Sequence, residues 1–144
     1  HLLNTYFGVI LALCGYTLPF STWLLRGYFL SIPKDIDEAA LIDGCTPFSV
    51  FTKITLPLAK PGIVATSIFS FLWAWSDYLF VLILTSSDKY KTIPVGIAEF
   101  VGQYSINWNT VMALTVLAVV PVALMLAFFQ RQLIYGLTGG AVKG

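Results

Sequence analysis

Charge is scarce in this chain: Asp, Glu, Lys and Arg together supply 10% of the 144 residues, against 58% hydrophobic. Soluble domains carry about a quarter charged residues, because their surface must face water. A chain this short also has a high ratio of surface to volume, so a soluble fold would leave much apolar surface exposed. With a mean hydropathy of +0.84, the excess needs lipid. The formal net charge of +1 argues against nucleic acid as a partner, since phosphate binding needs clustered Lys and Arg. Cysteine is equally sparse. Cys14 lies in an apolar run and Cys45 in a polar segment, without CxxC or Cys/His spacing, so both read as unpaired thiols. His1 is the single histidine. The sequence offers no catalytic, cofactor-binding or metal-ligating constellation and no Gly-rich phosphate loop, so neither an enzyme nor a cofactor is expected. It shows no basic region, short apolar core and small-residue cleavage site of a signal peptide. No internal repeat or low-complexity tract is visible.

Three segments do reach the roughly 20 apolar residues that a helix needs to cross the hydrocarbon core: about residues 6–25, 62–85 and 110–129. The first holds Pro19, with Thr17 and Ser21 nearby, and the third holds Pro121. A proline in a spanning helix frees a backbone carbonyl that neighbouring helices, hydroxyls or water must satisfy. Both prolines therefore predict kinked helices packed in a bundle. Arg26, Lys34, Lys53 and Lys60 lie between the first two spans, and Arg131 and Lys143 follow the third. Only Lys89 and Lys91 lie between the second and third. The positive-inside rule places residues 26–60 and the C-terminal tail in the cytoplasm, and residues 86–109 outside.

Residues 31–57 read as two short helices joined by a sharp turn. Ser31 can cap the first, Pro33 suits its opening, and Asp35, Asp37 and Glu38 complement its dipole. Gly44 falls where a left-handed C-terminal residue is wanted. Thr46 and Pro47 open the second helix as N-cap and first residue; Phe48, Phe51 and Thr55 share a face, and Pro57 is expected to stop it. Such a pair cannot fold alone, so its apolar faces must meet the spans or a partner. On these grounds an interfacial hairpin and a docking element are equally open.

The stretch Glu38-Ala39-Ala40, then Asp43-Gly44, then Ile54-Thr55-Leu56-Pro57 resembles the EAA motif of the permease subunits of binding-protein-dependent ABC importers. That pattern runs Glu-Ala-Ala, three residues, Gly, nine residues, Ile-x-Leu-Pro, and all seven specified residues are present at that spacing. Leu18-Pro19-Phe20 with Leu24-Leu25-Arg26-Gly27-Tyr28-Phe29 resembles the entry to this loop in the carbohydrate-uptake branch. The ending, from Gln130-Arg131-Gln132-Leu133-Ile134 to Gly136-Leu137-Thr138-Gly139-Gly140-Ala141-Val142-Lys143-Gly144, resembles the C-terminal tail of the maltose-importer type. The resemblance covers essentially the whole chain and implies the C-terminal half of a longer subunit, whose N-terminal spans would precede it.

The resemblance implies an all-α, polytopic membrane helix bundle with three transmembrane helices and a cytoplasmic helix–turn–helix coupling loop, in a bacterial or archaeal cell inner membrane. It implies cytoplasmic ATP-binding subunits, a second permease subunit and an extracytoplasmic substrate-binding protein as partners, within membrane lipid. Glu38 would pair with a basic group on the ATPase, Ala39 and Ala40 would permit close approach, and Gly44 would supply the turn. Asp43, Ile54, Leu56 and Pro57 complete the coupling residues. The cargo would be a sugar or oligosaccharide. A glycerol-phosphate or other polar solute, or a truncated assembly module without transport, are the alternatives.

Two further stretches stand out. Ile93, Ile97, Phe100 and Tyr104 recur at helical spacing, with Glu99 and Gln103 on other faces. This predicts a helix lying on the membrane or the bundle, and relatives contact the binding protein through the corresponding loop. In the second span, Trp73, Trp75, Asp77 and Tyr78 are candidate translocation-pathway residues, because a carboxylate in an apolar helix is costly against lipid. An outer-interface aromatic belt is the competing and favoured account.

Overall fold

The computed structural model describes residues 2–101 and 106–139. Among these residues the fold is helical throughout, with no strand beyond an isolated bridge pairing Val101 with Ile106. In chain order the helices are α1 (Tyr6–Ser31), α2 (Lys34–Ile42), α3 (Pro47–Val50), a π-turn (Phe51–Thr55), α4 (Leu56–Ser76), α5 (Leu79–Leu84), a 3-10 turn (Asp88–Tyr90), α6 (Ile93–Glu99) and α7 (Trp108–Gly139). Among the described residues, three stretches are long and apolar enough to cross a membrane: Tyr6–Ser31, Pro47–Ser76 and Trp108–Gln130.

The second of these differs from the expected helix over 62–85 at both ends. Pro57 does not stop the helix that begins at Pro47. The π-turn, closed by the Leu56 N–H on the Phe51 carbonyl, moves that turn's carbonyls off the α register. Pro57 then falls in the first turn of α4, where no N–H is required of it. At the other end α4 stops at Ser76 although the apolar run continues. There Asp77 accepts the Val81 N–H on Oδ1 at 3.2 Å, the local side-chain bonding by which Asp competes with a continuing helix.

The chain divides into two compact units. In the first, His1–Pro19 with Ser70–Phe128, Val9, Val81 and Val95 form a buried cluster with Leu13 against it. Thr5 caps α1 by accepting the Gly8 N–H at 3.0 Å and donates to the Leu2 carbonyl at 2.8 Å. Asn4, with a left-handed φ of 55°, receives the Ser86 and Ser87 N–H groups on Oδ1 at 2.7 and 2.9 Å. The buried side chain of α6 is Val95, while Ile93 and Phe100 are exposed. The expected apolar face of Ile93, Ile97 and Phe100 is therefore not the packed one, and the helix ends at Glu99. Gln103 and Tyr104, expected to continue it, lie outside the described residues, as do His1 and the tail residues 140–144.

In the second unit, Phe20–Phe69 with Phe129–Gly144, α4 buries Ala59, Gly62, Ala65, Thr66 and Ile68. Gly62 meets the ring of Tyr28 so closely that a Cβ there would fall on the ring atoms. This is the small-residue contact by which helices approach each other without a hydrophobic drive from water.

Candidate functional site

Two regions carry the residues singled out from the sequence. The first is the hairpin in the second unit. Pro33 rather than Ser31 occupies the N-cap of α2; the Ser31 hydroxyl instead donates to the Tyr28 carbonyl at 2.8 Å. At its other end, Gly44 has φ +86°, its N–H reaches the Leu41 carbonyl at 3.1 Å, and the Cys45 N–H reaches the Ala40 carbonyl at 3.0 Å. These paired bonds are the Schellman closure of a helix, which needs a left-handed residue at the position Gly44 holds. Thr46 caps α3 by accepting the Ser49 N–H, with Pro47 as first residue.

This turn leaves Glu38, Ala39, Asp43 and Gly44 exposed and Ala40 buried. The apolar residues beside them do not fold inward: Ile42 is 86% exposed and Phe48 76%. Ile54 is half-buried in the π-turn, while Leu56 and Pro57 lie exposed at the start of α4. The second half of the motif thus marks where the hairpin becomes a long helix.

One tie in this hairpin was not legible in advance. Thr55 donates its hydroxyl hydrogen to Asp37 Oδ1 at 2.9 Å, across 18 residues. Asp37 is half-buried, so it is an internal strut and not a free dipole-complementing charge like Asp35. Alternate faces of α2 place Asp37 inward and Glu38 outward, a periodicity the sequence carried but three neighbouring acids obscured.

The second region is the break after α4, in the first unit. Trp73, Ser76, Asp77, Tyr78, Leu79 and Phe80 line an open recess of about 470 Å³ together with Tyr16 of α1. Tyr16 donates to the Trp73 carbonyl at 3.2 Å and stacks on Phe80 with centroids 5.6 Å apart. Three of the four candidate pathway residues gather here. Trp75 does not: it faces away, stacked on Phe71 at 5.3 Å, and its indole N–H donates to the Ala118 carbonyl of α7 at 3.2 Å. Ala118 lies one turn before Pro121, where the α-helical bonding pattern is interrupted. Tyr16 and Phe80 gave no signal of their own, being aromatic residues in apolar runs.

Beyond the break, Lys91 pairs with both Asp88 and Glu99. Its hydrogen bond and charge hold the Asp88 carboxyl below the usual carboxylate range. The same two hydrogen bonds push Lys91 above the ordinary lysine value.

Long helices that are apolar on nearly all faces, in an all-α fold, make this a polytopic membrane protein. The sequence profile of the family described as the binding-protein-dependent transport system inner membrane component matches residues 2–137, and the chain belongs to that family. It is 41% identical over 142 residues to the trehalose/maltose transport system permease protein MalG of Thermococcus litoralis, covering 98% of this chain and 51% of that protein. It is 38% identical over 144 residues to the sulfoquinovosyl glycerol transport system permease protein SmoH of Agrobacterium fabrum, covering 100% of this chain and 50% of that protein. It is 39% identical over 145 residues to the trehalose transport system permease protein SugB of Mycobacterium tuberculosis, covering 99% of this chain and 53% of that protein. The chain spans about half the length of the curated relatives it matches.

Proposed function

We propose that this chain works within the permease subunit of an ATP-driven sugar or oligosaccharide importer, and that its hairpin couples ATP hydrolysis on a partner to movement of the spans. The partners in this reading are cytoplasmic ATP-binding subunits, a second permease subunit and an extracytoplasmic binding protein. Family membership and the glycoside-uptake names of three relatives support it. The observation that carries it is the exposed end of the hairpin, where Ile42 and Phe48 stand open to solvent beside Glu38. A hairpin serving only as an interfacial float would turn such side chains toward one apolar layer and its acids away. A peg entering a protein socket keeps both together, because apolar contact and a desolvated ion pair are formed in one interface.

Glu38 is then the charged anchor, Ala39 admits the socket wall, and the Gly44 turn presents the helix end. A rigid peg of this kind converts closure of the ATPase into a rigid-body movement of the spans, giving alternating access. The test is substrate-stimulated ATP hydrolysis by the whole reconstituted complex. Glu38→Ala removes half of a desolvated pair, which costs about 2–5 kcal/mol at an interface. Gly44→Val strains a left-handed position with open space around it, so its effect is on backbone direction alone. Both are expected to insert, yet to lose ATPase stimulation and uptake together. Asp35→Ala is the surface-charge control, since Asp37 is tied to Thr55. Variants at Glu38 and Gly44 that both behaved like Asp35→Ala would reduce the hairpin to an interfacial element.

A further inference from the structure

We propose that two recesses meeting at Lys91 form a site for one membrane phospholipid with a zwitterionic, phosphoethanolamine-type headgroup. The acyl chain lies against α4 and the headgroup against α6. The site belongs to the first unit alone and does not depend on which solute is carried.

The first observation is a pair of recesses with a shared wall. One, of about 300 Å³, is lined by Phe71, Ala74 and Trp75 of α4 together with Lys91, Thr92 and Ile93. The other, of about 360 Å³, has the same Lys91, Thr92 and Ile93 in its wall, with Asp88, Glu99 and Phe100 among the residues facing them. The α4 side is apolar and aromatic, Phe71 stacking on Trp75. The α6 side carries charge. An apolar slot opening onto a charged one matches the two ends of a lipid.

The second observation is depth. Tyr6 donates to the Lys89 carbonyl and opens a helix long and apolar enough to cross a membrane. The segment carrying Lys91 therefore lies level with the end of a span, where headgroups begin. Tyr6, Trp75 and Tyr90 are the residue types enriched at that level. The Lys91 side chain is 15% exposed, its stem covered while its ammonium reaches polar groups, as in a snorkelling lysine.

The third observation is the arrangement of charge. Lys91 donates to Asp88 and Glu99, which leaves, among the described residues, one ammonium N–H for a phosphate oxygen. Asp88 and Glu99 are 92% and 52% exposed on their side chains, so each keeps lone pairs open to an incoming ammonium group. Lys89 and Lys91 balance these two acids. A phosphate at Lys91 with its ammonium beside the carboxylates pairs every charge, whereas an anionic lipid would bring a further negative charge to them. Thr92, in the shared wall, has a buried hydroxyl without a hydrogen-bond partner, a group that a partner from outside the chain would satisfy.

The experiment uses the full-length subunit assembled with its partners and carrying benzoylphenylalanine in place of Ile93, which lines both recesses and is 41% exposed. The complex is irradiated in vesicles of equal phosphatidylethanolamine and phosphatidylglycerol, and adducts at position 93 are identified by mass spectrometry. Phosphatidylethanolamine adducts are expected to exceed phosphatidylglycerol adducts about threefold, the size of effect that exposed ion pairs give. Asp88→Asn with Glu99→Gln should abolish that preference while lipid adducts persist, an outcome that misfolding would not produce. Lys91→Met should lower the adducts of both lipids, and Lys91→Arg should retain them. Equal adducts from the two lipids in the complex with Asp88, Lys91 and Glu99 intact overturn the headgroup assignment and with it the site. A preference that survives loss of both carboxylates does the same. Adducts to protein alone mean that another segment or subunit covers the recesses, which also overturns the proposal. The readout needs no transport, so its failure leaves the importer reading standing.

Discussion

The two connections between the long helices are held in different ways. The one after α5 is tied repeatedly to the start of α1: Asn4 holds Ser86 and Ser87 through four hydrogen bonds, Tyr6 donates to the Lys89 carbonyl, and its ring meets Tyr90 edge-on. Lys91 gathers Asp88 and Glu99, and Val95 is 1% exposed. The hairpin after α1 has one side-chain tie between its helical segments, Thr55 to Asp37, and leaves Ile42 and Phe48 open. A connection tied this often within its own unit holds its shape through those bonds, even with the Thr92 hydroxyl buried without a hydrogen-bond partner. Ile42 and Phe48, at 86% and 76%, are nonetheless more open than Ile93 and Phe100 of the tied connection, at 41% and 43%, and apolar groups this exposed beside an acid are the surface expected of a binding element. The contrast separates a segment clamped by side-chain bonds from one closed mainly by backbone capping at Gly44 and Thr46.

Removing Asn4 should break the comparison most visibly. Asn4→Ala deletes the acceptor for two backbone N–H groups and a donor to the Ser86 hydroxyl. Each such bond contributes about 0.5–1.5 kcal/mol net, so a loss of about 1.5–4.5 kcal/mol in local stability is expected if the three add. Hydrogen exchange of the amides at residues 84–91 should accelerate, while exchange at 34–46 stays unchanged. Equal protection in variant and parent would show that Asn4 is not the clamp.

A smaller effect is expected from Thr55→Val, which keeps the side-chain shape and removes the tie to Asp37. The loss should be about 1 kcal/mol, the size of a single partly exposed hydrogen bond. Exchange should rise within α2, because little else crosses from it to the π-turn. If Thr55→Val left α2 unaffected, the hairpin would be held by backbone capping at Gly44 and Thr46 alone.

The hairpin was also the more legible of the two. Gly44, Thr46 and Pro47 act through backbone chemistry that a sequence states directly, so their roles as turn, cap and first residue could be read without a partner in view. The π-turn could not. Pro57 looks like a stop because it lacks an N–H, and only the wide turn before it removes that need. The break at Asp77 was hidden for a related reason: hydropathy continues through residue 85, and one carboxylate capturing one amide changes the backbone without changing the average. Tyr16 reaches Trp73 across 57 residues, a separation that no local pattern reports. Closures at a single glycine or cap-and-proline pair were readable, then, whereas the Ser31 cap, the π-turn and the Asp77 break, equally local, were not, and neither were the long-range pairings.

The smallest effect tests whether the ion pairs of the tied connection add to its hydrogen bonds. Lys91 holds the Asp88 carboxyl below its ordinary value, so this contribution is present above the usual carboxylate range and is lost as pH falls through the lowered value. Lys91 itself is raised, so its contribution is full below the ordinary lysine value and is lost as pH rises through the raised one. Between these limits the pairs are intact, and across neutral pH no change is expected. Asp88 is 92% exposed on its side chain, so water and salt screen the pair strongly. Acidification through the carboxylate range should therefore raise exchange at residues 88–99 by only about twofold, after correction for the intrinsic pH dependence of exchange. A comparable rise should follow from 1 M salt at neutral pH, where the screening length falls to about 3 Å. Lys91→Met should remove both responses while leaving the Asn4 clamp and exchange at 84–87 as they were. A large acid effect that persists in Lys91→Met would assign the pH sensitivity to other carboxyls and leave the ion pairs without a part in holding this connection.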